Sequence, residues 1–438
     1  MEKAKLKELL AGHKQRFFLK KGLIERDIQE EINRFIPQRE IVLITGIRRS
    51  GKSSLMRLIC DDIVASMSVP LSNILYLNFD DERFVDFKVD DFELLYESFL
   101  ELESPSGRKY LFFDEIQNIK GWERWLNRLY EFEDVKIFVS GSNASMLGSE
   151  ISTALTGRNR QVVNWPFSFR EFLRLRKCNF EKNDIYLREK RVEMKKLFGE
   201  YYELGGFPEV LKNSDTTLLE QYYRDILYRD IIARYSIKHV KEIKELSLFL
   251  ASNIGTIHSY RSMQSAIGVK SITTIKNYLE LLAEVFLFRY TDIFDYSVKR
   301  QIYNPSKVYC VDAALSSSIG FTFSQNKGHI YENIVYIELL RRKSDLYYWK
   351  SKKGKEVDFI IKKGLKATEA IQVCFSLDDE KTRQREFQAL VEAKNDLGTE
   401  SLTVITDDED GNVSLDGAEI KMIPLWKWLI NEPHKAEG

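Results

Sequence analysis

The sequence predicts an α/β protein whose first part is built on a parallel sheet, and three observations lead to that class. A glycine loop joins a short apolar run to a helical pattern at Ile41–Ile59 (IVLITGIRRSGKSSLMRLI). Further apolar runs recur at Asn73–Phe79 and Tyr110–Ile116, with helical stretches between them. That alternation is what strands joined by crossover helices require. From Gly46 to Ser53, GIRRSGKS fits G-x-x-x-x-G-K-[ST]. Strand, loop and helix in that order turn the pattern into a phosphate site. Gly46 and Gly51 permit tight backbone turns, so successive N–H groups point inward at an anion. The helix N-terminus adds roughly half a positive charge. Lys52 would reach the β- and γ-phosphates and Ser53 would ligate Mg²⁺, with Arg48, Arg49, Ser50 and Ser54 completing the loop.

Size and composition bound the rest. At 438 residues the chain is too long for one ordinary core. Its formal net charge is +0, so a nucleic-acid surface would have to be a local patch. Cys60, Cys178, Cys310 and Cys374 are scattered without zinc spacing, as a reducing compartment permits. The histidines form no HExxH or clustered set. No apolar run approaches the roughly 20 residues that span a bilayer, and the charged start MEKAKLKELLAGHKQ lacks the apolar core of a secretion signal. A cytoplasmic location and no membrane partner are the expectation.

In chain order, residues before Gln38 read as two amphipathic helices, with Pro37 at their end. Arg26 reads as a solvated helix-face residue, with a place near a nucleotide base as the alternative. Tyr110–Ile116 (YLFFDEI) is an interior strand whose tip carries Asp114 and Glu115, expected beside the glycine loop. Asp114 would hold the Mg²⁺ shell and Glu115 would orient or deprotonate an attacking water. Val135–Val139 is the next strand and ends in SGSN, where Ser142, or else Asn143, could sense a γ-phosphate. In LTGRNR, Arg158 or Arg160 could serve as an arginine finger, or be a salt-bridged surface residue. Val162 and Val163 end this core.

Phe167 to about Tyr235 is helical and charged, broken at Gly205-Gly206, and reads as a lid. Ser236–Tyr296 contains a helix, a turn at Gly268 and a second helix, the pattern of a helix-turn-helix, with Phe286–Tyr290 as a wing strand. Thr273, Thr274, Lys276 and Asn277 are the recognition candidates, few in charge for a DNA reader. From Gly328 a further unit begins with an amphipathic helix carrying Glu332. The strands Asp345–Trp349 and Glu356–Ile361 follow around KSKKGK, then Glu369–Phe375, a helix at Lys381–Ala393, the strand Leu402–Thr406 and a closing helix at Trp426–Ile430. Lys350, Lys352, Lys353 and Lys355 form a basic loop.

These stretches resemble the bacterial and archaeal AAA-type ATPases with a C-terminal part related to restriction endonucleases. The resemblance is carried by GIRRSGKSS, YLFFDEIQ, SGSNASML, LTGRNRQVVNWPFSFREF, GGFPEVL, YYRDILYRDI, KVYCVDAAL, KGHIYENIVYIELL, EVDFII and IQVCFSL. It implies N-terminal helices over 1–38, a P-loop core over 39–165, a helical lid over 166–235, a winged helix over 236–320 and a restriction-endonuclease-like α/β domain over 321–438. Such nucleases use a helical Glu, a strand Asp and (E/Q)-x-K on the next strand. Glu332, Asp358 and Gln372 match, but Cys374 stands where the lysine belongs. The site is therefore expected to be degenerate, unless Lys362 or Lys363 supplies the cation. The expectation is an ATPase using ATP and Mg²⁺, with a DNA or protein partner through the later domains and a homo-oligomer left open. An ATP-regulated metal-dependent nuclease and a nucleotide-gated scaffold are the alternatives.

Overall fold

The computed structural model describes residues 1–144, 157–320 and 327–431. Parts of two stretches named above, SGSNASML from Ser145 and LTGRNR up to Thr156, lie outside them. Two compact units are formed, Met1–Phe167 with Glu284–Phe286, and Ser168–Ala283 with Leu287–Gly438.

In the first unit, five strands form one parallel sheet: β1 (Ile41–Thr45), β2 (Ile74–Asn78), β3 (Lys109–Asp114), β4 (Val135–Gly141) and β5 (Asn159–Val163), in the order β2-β3-β4-β1-β5. All five residues of β1 are buried. A strand covered on both faces needs a continuous apolar run, which IVLI supplies. Side chains alternate between faces, so Leu43 joins one core with Phe113 and Val139, while Val42 and Ile44 join another with Phe112 and Phe138. The helices α1 (Lys3–Leu19), α4 (Asp91–Glu103) and α5 (Trp122–Phe132) cover the first face. The helices α2 (Gln29–Phe35) and α3 (Lys52–Met67) cover the second. α1 serves both, placing Leu6, Leu9 and Leu10 in one core and Phe17 in the other.

Strand order matters for the site. β4 lies between β1 and β3, so Ser140 near its end comes beside Asp114 and the Glu115 backbone. Glu115 nevertheless comes beside the loop as expected, its Oε1 3.5 Å from the Lys52 ammonium, while Asp114 is bonded to Ser140 and Tyr76.

The second unit begins with helices at Phe169–Leu175, Arg188–Leu204, Pro208–Asn213 and Thr217–Asp225, the last continuing as a π-helical stretch, Ile226–Ala233. Ser168 and Glu171 form a reciprocal capping box at the first of these. After Val240–Ser252, the helices Tyr260–Ile267 and Ile272–Glu284 meet at Gly268, which is left-handed at φ 77. They adjoin an antiparallel sheet of β6 (Ile257–His258), β7 (Phe288–Thr291) and β8 (Ser306–Cys310), ordered β6-β8-β7.

A six-stranded mixed sheet completes the unit: β9 (Asp345–Lys350), β10 (Glu356–Lys363), β11 (Lys366–Val373), β12 (Ser401–Thr406), β13 (Gly411–Leu415) and β14 (Ala418–Pro424), in the order β13-β14-β12-β11-β10-β9. The helix Lys327–Arg341 departs from expectation. Tyr331–Leu339 is buried without interruption, so this helix is enclosed rather than amphipathic. Its polar residues are paired inside: Asn333 exchanges hydrogen bonds with the Cys310 backbone at 2.8 and 2.9 Å, and Glu338 meets Arg170, Arg341 and Arg342 at 3.2–3.3 Å.

Candidate functional site

The loop after β1 owes its shape to two glycines. Gly46 has φ +143, and a Cβ there would lie 2.3 Å from the Asn164 carbonyl oxygen. Gly51, at φ 91, turns the chain into α3. Between them Arg49, exposed, is also left-handed at φ 70. Ser50 is fully buried; its carbonyl accepts from Asn164 at 3.0 Å and from the Arg26 guanidinium at 3.1 Å. Arg26 also donates to the Trp165 carbonyl at 2.6 Å and lies 4.8 Å from the Phe167 ring centre. It is therefore a buried strut of the loop, and its reading as a solvated residue is corrected.

Lys52 opens α3 and is 4% exposed. Its ammonium donates to the Gly46 and Ile47 carbonyls at 3.1 and 3.2 Å and stands 3.5 Å from Glu115 Oε1. Burial opposes a charge on Glu115, but Lys52, Gln117, Arg48 and Ser142 outweigh it and hold the carboxyl below the ordinary carboxylate range. Glu115 is left-handed at φ 51. Such backbone is costly for a residue with a side chain and collects at working sites. Arg48 reaches toward Asp80 at 3.7 Å. Ser54 donates its backbone N–H to Gly51 at 3.1 Å.

Asp114 is fully buried. The Ser140 hydroxyl donates to its Oδ1 and the Tyr76 hydroxyl to its Oδ2, the latter at 2.9 Å. Burial and the Asp114 charge push the Tyr76 phenol well above its ordinary range, while Ser53 acts in the opposite sense from a hydrogen-bonding position. Ser53 and Asp114, expected to share a metal, thus both act on the Tyr76 hydroxyl, which donates to Asp114. Ser142 is 1% exposed and near enough to Glu115 to ease its charge, yet its hydroxyl has no hydrogen bond of good geometry. Asn143, the second choice, is buried beside it in sequence.

Arg158 is not brought to this cluster. Asn159 pairs with Ile41 at the start of β1, so Arg158 lies about 15 Å along the strand from the loop. There it pairs with Glu131 at 2.7 Å and donates to Asn127. Arg160 pairs with Glu40 at 3.0 Å. A finger acting on the chain's own loop is excluded by this placement.

The C-terminal candidates do converge. Gln372 accepts from the Asp358 N–H at 3.2 Å and donates to Glu386 at 2.7 Å. Asp358 and Glu332 are both buried. The cation absent at Cys374 is supplied from another strand: Lys307 on β8 lies 2.9 Å from Glu332, 2.7 Å from Glu356 and 2.8 Å from Asp358. Lys362 instead pairs with Asp345 at 3.0 Å, and Lys363 is exposed. Cys374 keeps its proton, its thiol pushed up to about 12 by burial. In the basic loop, Lys350 and Lys355 pair with Glu356 and Glu392 at 3.7 and 3.0 Å.

Tyr76, Ser140, Asn164, Arg26 and Lys307 were not singled out for these roles. Lys307 sits in KVYC, an ordinary strand pattern in which a charged residue at an inward position was the signal available.

Three matches to known families cover most of the chain: an AAA domain at residues 38–173, a domain of unknown function (DUF8612) at 195–325, and a domain of unknown function (DUF4143) at 327–428. The uncharacterized protein MJ1544 of Methanocaldococcus jannaschii is 34% identical over 429 residues, 94% of this chain and 92% of its own. An uncharacterized protein of Haemophilus influenzae is 29% identical over 419 residues, 93% of this chain and 99% of its own. Among solved structures, the Walker-type ATPase PABY2304 of Pyrococcus abyssi aligns at 16% identity and a TM-score of 0.41, over 69% of this chain and 99% of that one. No helix among the described residues is long and apolar enough to cross a membrane.

Proposed function

The chain belongs to the family of AAA-type P-loop ATPases that end in a DUF4143 domain, and on that premise we propose that it is a Mg²⁺-dependent ATPase working at the Gly46–Ser54 loop. The observation that carries this reading is the set of unsatisfied or provisional partners around Glu115. Lys52 rests on loop carbonyls, and the Ser142 hydroxyl near Glu115 is buried without a hydrogen bond of good geometry. A buried polar atom left unpaired costs about 1–3 kcal/mol, and a phosphate oxygen would satisfy it. The residues therefore fit the group.

In this reading the amides from Gly46 to Ser54, with the side chains of Arg48, Arg49, Ser50 and Ser54 around them, hold the phosphates of ATP. Lys52 turns from the carbonyls toward the β- and γ-phosphates. Ser53 and Asp114 would hold Mg²⁺, which when bound withdraws charge from the phosphate oxygens. Glu115, kept ionised, orients an attacking water and accepts its proton. Ser142 donates to the γ-phosphate. The state of the nucleotide would bias the order of the helical segment 166–235 and the winged-helix-type segment 236–320. Residues 321–438 would act as a non-hydrolysing, nuclease-like domain that binds DNA or a protein. Arg158, pointing away from its own loop, would serve only a neighbouring subunit in a homo-oligomer.

The test is turnover in two variants. Glu115→Gln is expected to bind ATP and lose hydrolysis by about a hundredfold or more. Lys52→Ala is expected to lose binding as well. Phosphate release unchanged in both would overturn the reading.

A further inference from the structure

Lys307 is 1% exposed, and its ammonium is surrounded by three carboxylates from two elements: Glu332 from the helix, and Glu356 and Asp358 from β10. The remaining bonds lock these acids in place. Tyr309 donates to Glu332 Oε1 at 2.7 Å, and the Val373 N–H donates to Asp358 Oδ2 at 2.9 Å. His329 Nδ1 stands 3.6 Å from Glu332 Oε2. Gly255 allows that approach, because a Cβ there would lie 2.5 Å from His329 Nδ1 and 2.9 Å from Glu332 Oε2.

The three acids present only oxygen donors around one point of positive charge, which is the chemistry of a hard divalent cation. They are held at 2.7–2.9 Å from a nitrogen, whereas Mg²⁺ draws oxygens to about 2.0–2.1 Å. Accordingly, no group of three or more His, Cys, Asp or Glu among the described residues is arranged to hold a metal. The oxygens would have to close in by less than about 1 Å to do so.

We propose that Lys307 is a built-in cation occupying the place of a divalent metal, so that the acidic site of the C-terminal sheet is held closed to metal and to metal-dependent chemistry. Neutralising Lys307 leaves a site for one Mg²⁺ or Mn²⁺. Three acids around a single ammonium leave formal negative charge in excess. A divalent ion would match that excess better than the lysine does. This inference rests on the C-terminal geometry and stands apart from the ATPase reading.

The experiment titrates Mn²⁺ into full-length, nucleotide-free protein and follows the free-ion spin resonance signal. Wild type is expected to show no Asp358-dependent site. Lys307→Ala is expected to gain one bound equivalent, lost again in Lys307→Ala/Asp358→Asn. A folded Lys307→Ala that binds no more Mn²⁺ than wild type would overturn the proposal. So would an Asp358-dependent site in wild type. Should Lys307→Ala be unfolded when purified in chelator, Mn²⁺ is expected to restore its folding, and failure to do so would equally overturn it.

Discussion

Replacing Gly46 by alanine tests the loop's architecture at its tightest point. The new Cβ would meet the Asn164 carbonyl oxygen at 2.3 Å and its carbonyl carbon at 3.1 Å. Ordinary carbon–oxygen contacts begin at about 3.3 Å, so something must move by about 1 Å. The obstacle is backbone, not a flexible side chain. Asn164 is itself pinned, its N–H bonded to Thr45 at 2.7 Å and its amide to Ser50 at 3.0 Å. Left-handed backbone adds about 1–2 kcal/mol for a residue with a Cβ, and overpacking about 1–3 kcal/mol. The sum is about 2–5 kcal/mol. Hydrogen exchange of peptides covering β1 reads this directly: 2 kcal/mol of lost protection is about a thirtyfold faster rate. Gly12→Ala is the control, since Gly12 lies in α1 with nothing within 4 Å of its would-be Cβ. There alanine is expected to stabilise by about 0.5–1 kcal/mol. If Gly46→Ala exchanged as slowly as wild type, or if the two variants moved together, the reasoning from the close approach would be refuted.

Other outcomes follow from the same geometry. Tyr76→Phe removes the donor to Asp114 Oδ2 and is expected to cost about 1–3 kcal/mol, measured by urea unfolding, and to weaken Mg²⁺-dependent nucleotide binding more than binding without metal. Lys136→Met strips a buried ammonium that donates to the carbonyls of Phe35, Gln38 and Glu40 at 2.5–3.1 Å, and is expected to lower stability by about 2–4 kcal/mol in the same assay. His13 accepts from the Asn78 N–H at Nδ1 and so meets Asp81 through Nε2–H, the neutral form; burial holds its pKa below the ordinary 6.5. Between its folded value and 6.5 the unfolded chain binds the extra proton, so its contribution to stability is intact above pH 6.5 and falls as pH drops below it. The slope is at most about 1.4 kcal/mol per pH unit for one proton. Thermal unfolding against pH is expected to lose that component in His13→Gln.

The sequence disclosed what depends on short-range pattern. The loop, β1 and α3 were legible because glycine spacing, an apolar run and helical periodicity fall within twenty residues of each other. Asp114 and Glu115 could be named because they end a strand. What could not be read is the order of strands. That β4 separates β1 from β3 follows from how crossovers pack, so Ser140 and Tyr76 were invisible as partners of Asp114. For Arg158 the sequence left open a finger or a salt-bridged surface residue, because an arginine near a core strand carries no mark of which strand end it occupies; here it pairs with Glu131. The hairpin of β13 and β14 was passed over because Gly411–Leu415 is largely exposed and offers only Val413 and Leu415 as an apolar face, too short a signal to stand out. The helix at Lys327–Arg341 looked amphipathic because its polar residues were assigned to solvent, whereas Glu332, Asn333 and Glu338 are bound inside. Lys307 was missed for the same reason. A buried charge looks like a surface charge until its partners are placed.

The central claim is that a nucleoside triphosphate and Mg²⁺ bind together at the loop between Gly46 and Ser54. Calorimetric titration of ATP into the full chain in saturating Mg²⁺ addresses it most directly, with Lys52→Ala beside it. One site per chain in wild type, absent in Lys52→Ala, is the predicted result. No heat with any purine triphosphate, or the same binding in both proteins, would contradict it.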